Sequence, residues 1–341
     1  MNELDRLPIP LLEWYSENAR SMPWRSDPTP YHVFLSEIML QQTRVAAVRE
    51  YYRRFLEELP TMRDLAEADE DRLMKLWQGL GYYNRARNLQ KAARQVRDEF
   101  GGVFPQTFAE IISLAGVGEY TAGAIGSIAF GLPVTAVDGN VLRVVARITG
   151  EDGDVTRPET KNRMRDALQK VLPKSSAGDF NQAMMELGAT VCLPNGAPLC
   201  DQCPAKEFCA ALLTDRIGDL PVKTKKPPRR VEEREVYLIF DGPRVALRRR
   251  AEKGLLAKLW EYPNTLLGSP PPMALTEREF AATGGHIFTH IEWRMTAYFG
   301  HPAEPLPQGW VWADKAQLRD QYAVPNAFSS FTHLVEERLG E

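Results

Sequence analysis

A single carboxylate, Glu37, interrupts the apolar run "VFLSEIMLQQT" at residues 33–43. An ionised carboxylate stripped of its water costs several kcal/mol unless it is paired. Glu37 therefore either points outward from an amphipathic helix or is a carboxyl group kept partly protonated because it must give up a proton. A second carboxylate, Asp138, stands at the head of the helical pattern in "AVDGNVLRV", where an N-cap role alone would account for it.

The third chemical group is a set of thiols. All four cysteines lie within "CLPNGAPLCDQCPAKEFC", as Cys192, Cys200, Cys203 and Cys209, with spacing C-x7-C-x2-C-x5-C. Four thiols in one loop suit metal ligation better than disulfides. Structural zinc usually takes two close pairs separated by a longer insert, and only Cys200/Cys203 forms such a pair. A compact run of four suits a cubane iron–sulfur cluster. Spacing alone leaves both open, together with a plain clip that stiffens a loop lacking its own core.

The elements that must hold these groups can be read from periodicity. At 341 residues, with 44% hydrophobic and 26% charged side chains, the chain is long enough for two domains. Apolar patterns of helical period run through 8–19, 31–42, 45–56, 70–77, 85–96, 119–130, 139–148, 159–171 and 178–189. Residues 1–213 read as an all-α domain. The polar, proline-bearing stretch 214–231 reads as a linker. Beyond it, "EVYLIF", "RVALRR", "HIFTHIEWRMTAYF" and "GWVWA" have strand character, a turn-like "DGP" joins the first two, and "AFSSFTHLVEERLG" reads as a closing helix. The expectation for 232–341 is a separate α+β domain, so the fold class is multidomain, α and α+β.

Net charge is −3, which argues mildly against a nucleic-acid binder, yet local basic runs exist. Arg85, Arg87, Lys91, Arg94 and Arg97 lie in "RARNLQKAARQVR", and "KTKKPPRR" follows at 223–230. Either run could face DNA or simply be solvated. No stretch approaches the ~18 apolar residues of a membrane helix, and the acidic start lacks the form of a signal peptide, so no membrane partner and a cytoplasmic location are expected. Within "LAGVGEYTAGAI", the turn Gly116–Val117–Gly118 separates two helical segments across 107–130. Its free N–H groups at a helix start could hold a phosphate, the pattern of a helix-hairpin-helix element, although an ordinary turn would read the same.

Taken together, "MPWR" (22–25), "LSEIMLQQT" (35–43), "LWQGLGYYNRARNL" (76–89), "GVGEYTAGAI" (116–125), "VDGNVLRV" (137–144), "FNQAMMELGATVC" (180–192), the cysteine loop at 192–209, "KLWEYP" and "HIFTH" resemble one family, the MutY-type adenine DNA glycosylases of the helix-hairpin-helix superfamily. The resemblance spans nearly the whole chain. It implies a catalytic domain carrying one 4Fe-4S cluster, joined to a Nudix-like domain that recognises 8-oxoguanine. The implied substrate is double-stranded DNA with an 8-oxoguanine:adenine mispair, handled by a monomer of bacterial type associated with the nucleoid.

The resemblance also assigns roles. Adenine leaves poorly as an anion, so the family protonates it at N7 with a carboxylic acid, here Glu37. An unperturbed glutamate is only ~0.2% protonated at pH 7, and raising its pKa to ~6.5 gives roughly a hundred times more acid. Val33, Phe34, Ile38 and Leu40 could help supply the apolar setting. Asp138 matches the anion that stabilises the oxocarbenium-like sugar or captures it covalently. Tyr120 and Asn140 line the pocket, and Glu186, Trp24 and Arg25 match positions near the base. Gln42 and Thr43 match contacts to the opposite strand, Leu80 and Tyr82 match wedges into the stack, and Phe288, Thr289 and His290 match a loop that reads 8-oxoguanine.

Position 120 bears on the reaction. Lyase relatives carry a lysine there whose amine attacks the sugar, whereas Tyr120 cannot form an imine, so a monofunctional enzyme is expected. Two departures from the pattern stand out. Seven residues separate Cys192 from Cys200 where six are common, the extra one falling in "PNGAP", and Thr289 replaces a common serine. Three other readings compete: an endonuclease III-like lyase, opposed by Tyr120 and by the 232–341 domain; a Nudix-type hydrolase, for which "ALTEREFAATGG" lacks the glutamate-rich helix needed for Mg²⁺; and a non-catalytic iron–sulfur DNA-binding protein.

Overall fold

The local signals at helix starts survive into the tertiary structure, a computed structural model that describes residues 3–224 and 227–340. The helices are α1 (Pro8–Asn18), α2 (Pro23–Ser26), α3 (Pro30–Leu40), α4 (Val45–Glu58), α5 (Met62–Glu67), α6 (Glu70–Trp77), α7 (Asn84–Glu99), α8 (Phe108–Ser113), α9 (Glu119–Phe130), α10 (Gly139–Thr149), α11 (Pro158–Val171), α12 (Ala177–Thr190), α13 (Ala210–Leu213), α14 (Lys315–Asp320) and α15 (Ser329–Arg338). Thr29 caps α3 ahead of a proline at its first position, Asp69 caps α6, and Thr107 with Glu110 forms a capping box on α8. Each helix read from periodicity forms. Those that were missed, α2, α5, α13 and α14, span only four to six residues, too few for a period to show.

The strands are β1 (Arg230–Asp241), β2 (Arg244–Arg249), β3 (Trp260–Glu261), β4 (Asn264–Leu266), β5 (Leu275–Ile287), β6 (Ile291–Pro302) and β7 (Trp310–Ala313). They form one mixed sheet of order β3-β2-β1-β6-β5, with β4 on β1 and β7 on β2. β1 and β6 run parallel, and the "DGP" turn makes β1/β2 an antiparallel hairpin. One face of the sheet packs on α15 through Trp293, Phe328, Phe331 and Val335; the other carries a small cluster around Tyr237, Ile239 and Met273.

One reading of this region is corrected. The run "HIFTHIEWRMTAYF" is not one strand: it breaks after Ile287 and resumes at Ile291, with the Phe288 N–H donating to the Ile291 carbonyl across the turn (2.8 Å). The segment "ALTEREFAATGG" is strand β5 in register with β6, so Glu277 and Glu279 stand on an exposed strand and form no metal-binding helix. Its composition is poor in strand formers; pairing with β6 decides its conformation.

The domain boundaries also differ from expectation. The chain divides into one compact unit of Met1–Glu67 and Asn88–Lys225 and another of Ala68–Arg87 and Lys226–Glu341. Residues 68–87 join the second unit because their side chains bond to it. Lys75 Nζ donates to the Leu318 and Tyr322 carbonyls, and Gln78 Nε2 donates to that of Val324. The expected linker 214–231 is largely ordered against its neighbours. Leu220 O accepts from Arg147 Nε, Val222 O accepts from the Val155 N–H, and β1 begins at Arg230. Lys225 and Lys226 of the basic run lie outside the described residues. Among the described residues, no helix is long and apolar enough to cross a membrane.

Candidate active site

Glu37 does not point outward. Residues Tyr31 and Val33–Met39 of α3 are all buried, so the helix is apolar on almost every face, and Glu37 itself is only 6% exposed. Its Oε2 accepts a hydrogen bond from Tyr120 Oη (2.6 Å). Burial pushes the Glu37 carboxyl up to about 7; the Tyr120 bond and Arg25 oppose this, and the nearby Asp138 charge adds to it. The same burial, with Glu37 beside it, holds the Tyr120 hydroxyl well above its ordinary value, so it stays a neutral donor.

Asp138 is both a cap and a wall of the same cleft. Its Oδ1 accepts from the N–H groups of Asn140 (2.9 Å) and Val141 (2.8 Å), and its Oδ2 accepts from Asn140 Nδ2 (2.9 Å). Three donors at the start of α10 thus fix one anion a short way from Glu37. A cavity of about 640 Å³ has Glu37, Tyr120, Asp138, Asn140 and Glu186 in its walls, with Trp24, Arg25, Gln42 and Thr43 around them. Trp24 is buried edge-on against Tyr52 (5.4 Å between centroids), and Gln42 is exposed.

Glu186 is clamped. Arg20 grips it with Nε and Nη2, and Arg25 Nη2 donates to its Oε2 at 2.8 Å. Burial alone would push this carboxyl up; the two guanidinium groups outweigh it and hold the group below its usual range. One cavity therefore pairs a carboxyl group that holds its proton near neutrality with a carboxylate that does not.

Arg20 and Arg143 escaped the sequence reading. Arg143 is 4% exposed, and its guanidinium donates to Asn140 Oδ1 (3.0 Å), the Gly188 carbonyl (2.8 Å) and the Cys192 carbonyl (2.9 Å). The available signal was the one used for Glu37: a charge inside an apolar helical run. A Cβ at Gly188 would stand 2.8 Å from Asn140 Cβ, so glycine lets α12 approach α10 there. Arg143→Ala leaves three carbonyl-type acceptors short of a donor and should cost about 2–4 kcal/mol of stability, read from urea unfolding.

The hairpin is built as expected. Gly116 has φ +76°, where a side chain would be strained, and a Cβ there would meet Asn88 Cβ at 2.6 Å. Val117 is buried, while Gly118, the N-cap of α9, has open space where its Cβ would be. The first-turn acid Glu119 is paired with Arg165, which lowers its repulsion of a phosphate at that helix start. The basic run at 85–97 is mostly committed elsewhere: Arg85 is buried, Arg87 pairs with Glu70, Arg94 donates to the Ala66 carbonyl, and Arg97 pairs with Asp98.

The four cysteines line one cavity with Val144, Ile148 and Leu187. Arg147 Nη1 donates to Cys192 Sγ (3.3 Å), and Lys206 also borders the space. Burial raises Cys200 and Cys209 and pushes Cys203 up to about 12, so anionic thiolates here need a cation. Among the described residues, no three His, Cys, Asp or Glu side chains converge on a single metal ion. Residues 194–197 of "PNGAP" are exposed, and the excursion is closed by the Leu199 N–H on the Val191 carbonyl (2.9 Å), so the longer spacing bulges outward.

The remaining expected residues belong to the second unit. Leu80 is 6% exposed and packs in the core, whereas Tyr82, at φ +46°, is 50% exposed. Phe288, Thr289 and His290 form the turn between β5 and β6. Phe288 is held edge-on by Trp293 (4.9 Å) and His286 (4.5 Å), and Tyr82 Oη lies 3.3 Å from Thr289 Oγ1.

The HhH-GPD superfamily of base-excision DNA repair proteins matches residues 35–174, and the NUDIX domain family matches residues 235–334. The chain is similar to the adenine DNA glycosylase of Mus musculus, 35% identical across 89% of this chain and 72% of that protein. Among solved structures it is similar to a thermostable thymine-DNA glycosylase (26% identity, TM-score 0.56, 62% of this chain and 97% of that one). It is also similar to an endonuclease III in a non-covalent DNA complex (25% identity, TM-score 0.54, 63% and 99%).

Proposed function

The chain belongs to the adenine DNA glycosylases, base-excision-repair enzymes, and on that premise we propose that its substrate is duplex DNA carrying adenine opposite 8-oxoguanine or guanine. The observation that carries the mechanism is the buried, Tyr120-bonded Glu37 in the same cavity as Asp138. The adenine nucleotide is flipped into this cavity, a step least costly at a mispair. Glu37 gives its proton to N7, the N-glycosidic bond breaks, and the base leaves neutral. Asp138, fixed by three N–H donors, stabilises the oxocarbenium-like sugar or forms a covalent intermediate that water then hydrolyses. Glu186, held ionised by Arg20 and Arg25, accepts from the exocyclic amine. Tyr120 forms no imine, so the enzyme is monofunctional and leaves an intact abasic strand.

The opposite base is read by the second unit, with the exposed Tyr82 ring as wedge and the Phe288–Thr289–His290 turn as the 8-oxoguanine contact. The Gly116–Val117–Gly118 hairpin takes a backbone phosphate. The protein acts as a monomer, on chromosomal DNA in the cytoplasm. Single-turnover cleavage of a duplex with one adenine opposite 8-oxoguanine tests this. Breaks that appear only after alkali support it; breaks without alkali overturn the monofunctional reading, and no breaks overturn the enzyme.

Cys192, Cys200, Cys203 and Cys209 fit one 4Fe-4S cluster. They rim a single cavity, and the Arg147 donor on Cys192 Sγ suits an anionic group. Such a cluster supplies a rigid cross-link for a loop with little core of its own. Purified protein is expected to carry four irons and four sulfides per chain, and Cys203→Ser to lower both together with the thermal midpoint. Zinc in place of iron would overturn the cluster.

A further inference from the structure

Tyr82 sits on a segment that ordinary chain would not adopt. Gly79, Gly81 and Tyr82 all have positive φ (+106°, +70° and +46°), and a tyrosine in that region is strained. Something must hold the segment in place. The structure points to Arg85, three residues on and 9% exposed. Its Nη2 donates to the Leu80 carbonyl (3.0 Å) and the Gly81 carbonyl (3.2 Å), while Trp77 Nε1 also donates to Gly81 O (3.1 Å). The Arg85 guanidinium lies over two rings, 5.4 Å from the centroid of Trp77 and 5.5 Å from that of Tyr82.

We propose that Arg85 is a positioning residue for DNA engagement: it locks the Leu80–Tyr82 backbone and backs the exposed Tyr82 ring, so that the ring is preset to stack at the mispair. The inference rests on the reading of Tyr82 as the wedge. A planar guanidinium can donate in its plane to two adjacent carbonyls while its faces meet aromatic rings; no other side chain does both. Burial lowers the Arg85 guanidinium to about 10, which still leaves it protonated at neutral pH, so the cation persists under the ring. A ring already held in its inserted orientation gives up little freedom on binding.

Because Arg85 would act through Tyr82, the two residues must be coupled, and a double-mutant cycle reads that coupling. Mispair affinity and single-turnover excision at saturating enzyme are measured for Arg85→Met, Arg85→Lys, Tyr82→Ala and the two double variants, with thermal midpoints alongside. Tyr82→Ala is expected to weaken mispair binding about 10- to 100-fold, the range of one base–aromatic stack. Arg85→Met is expected to weaken it about 10-fold, with the loss in affinity rather than in the saturating rate. Arg85→Lys, which keeps the charge without the fork, should weaken it about 3-fold. In the Tyr82→Ala background neither Arg85 change should lower affinity further.

Additive losses, or losses that track the thermal midpoint in both backgrounds, would make Arg85 a core residue only and overturn the proposal while leaving the wedge intact. An Arg85 silent in the wild-type background would do the same. If Tyr82→Ala itself leaves affinity unchanged, the wedge reading fails and the proposal with it. Should Arg85→Met not fold, the cycle is decided on Arg85→Lys.

Discussion

Glu37→Gln should reduce single-turnover adenine excision by about 10³-fold or more, within the range of a lost general acid, with duplex affinity little changed. The substitution keeps shape and removes only the acidic proton. In the native chain, the carboxyl raised to about 7 is half protonated near neutrality. Excision at subsaturating enzyme should therefore level off below pH 7 and fall about tenfold per unit above it, unless another group limits first.

The same group makes a second, independent readout possible. The folded value lies above the unfolded one of 4.5, so the native state binds the extra proton between pH 4.5 and 7. The Glu37 contribution to stability is then fully present below pH 4.5 and is lost as pH rises through 7. The loss integrates to about 3 kcal/mol. Glu37→Gln, which has no charge to bury, should match the native chain at pH 4 and be more stable at pH 8 by up to that amount in urea unfolding. A variant inactive yet no more stable at pH 8 would show that Glu37 is not desolvated as described. Full activity in Glu37→Gln would remove it from the chemistry.

Asp138→Asn should cost about 10²–10³-fold in excision, the usual effect of removing one preorganised electrostatic group. Its interest is that the proposed mechanism gives Asp138 a second job beside its cap. The Oδ1 bonds to the Asn140 and Val141 N–H groups cap α10, and asparagine caps a helix about as well as aspartate. The thermal midpoint should therefore move by no more than a degree or two while activity collapses. Asp138→Ala loses cap and charge together and should add about 1 kcal/mol of destabilisation. If Asp138→Asn keeps its activity, the cap is the whole role.

Much of the site was legible because the relevant signals are local. A charge inside "VFLSEIML", an aspartate opening a helix and four thiols in eighteen residues are visible in sequence order; the cost of burying a carboxylate raised the question of Glu37, and the family resemblance gave it the role of acid. The helices were legible for the same reason, since period and caps act within one or two turns. What failed depended on partners distant in sequence. Strand β5 exists because β6 accepts it, despite glycines and glutamates of its own. Residues 68–87 belong with the second unit because Lys75 and Gln78 reach carbonyls some 245 positions on. Charge alone left the basic run at 85–97 open between DNA and solvent until its acids and carbonyls were located.

Sequence order alone carried the helical half, the strand character of the rest and the cysteine loop, and the family resemblance singled out Glu37 and Asp138. Folding then set how the acidic side chains of the cavity differ from one another. Glu37 and Glu186 are the same residue type on adjacent walls of one cavity, yet one is pushed up to about 7 and the other held down. Glu37 meets a tyrosine hydroxyl and apolar side chains; Glu186 meets two guanidinium groups brought from α2 and the turn before it. Proton affinity is set by the dielectric and the charges within a few ångströms, and chain folding chooses those neighbours.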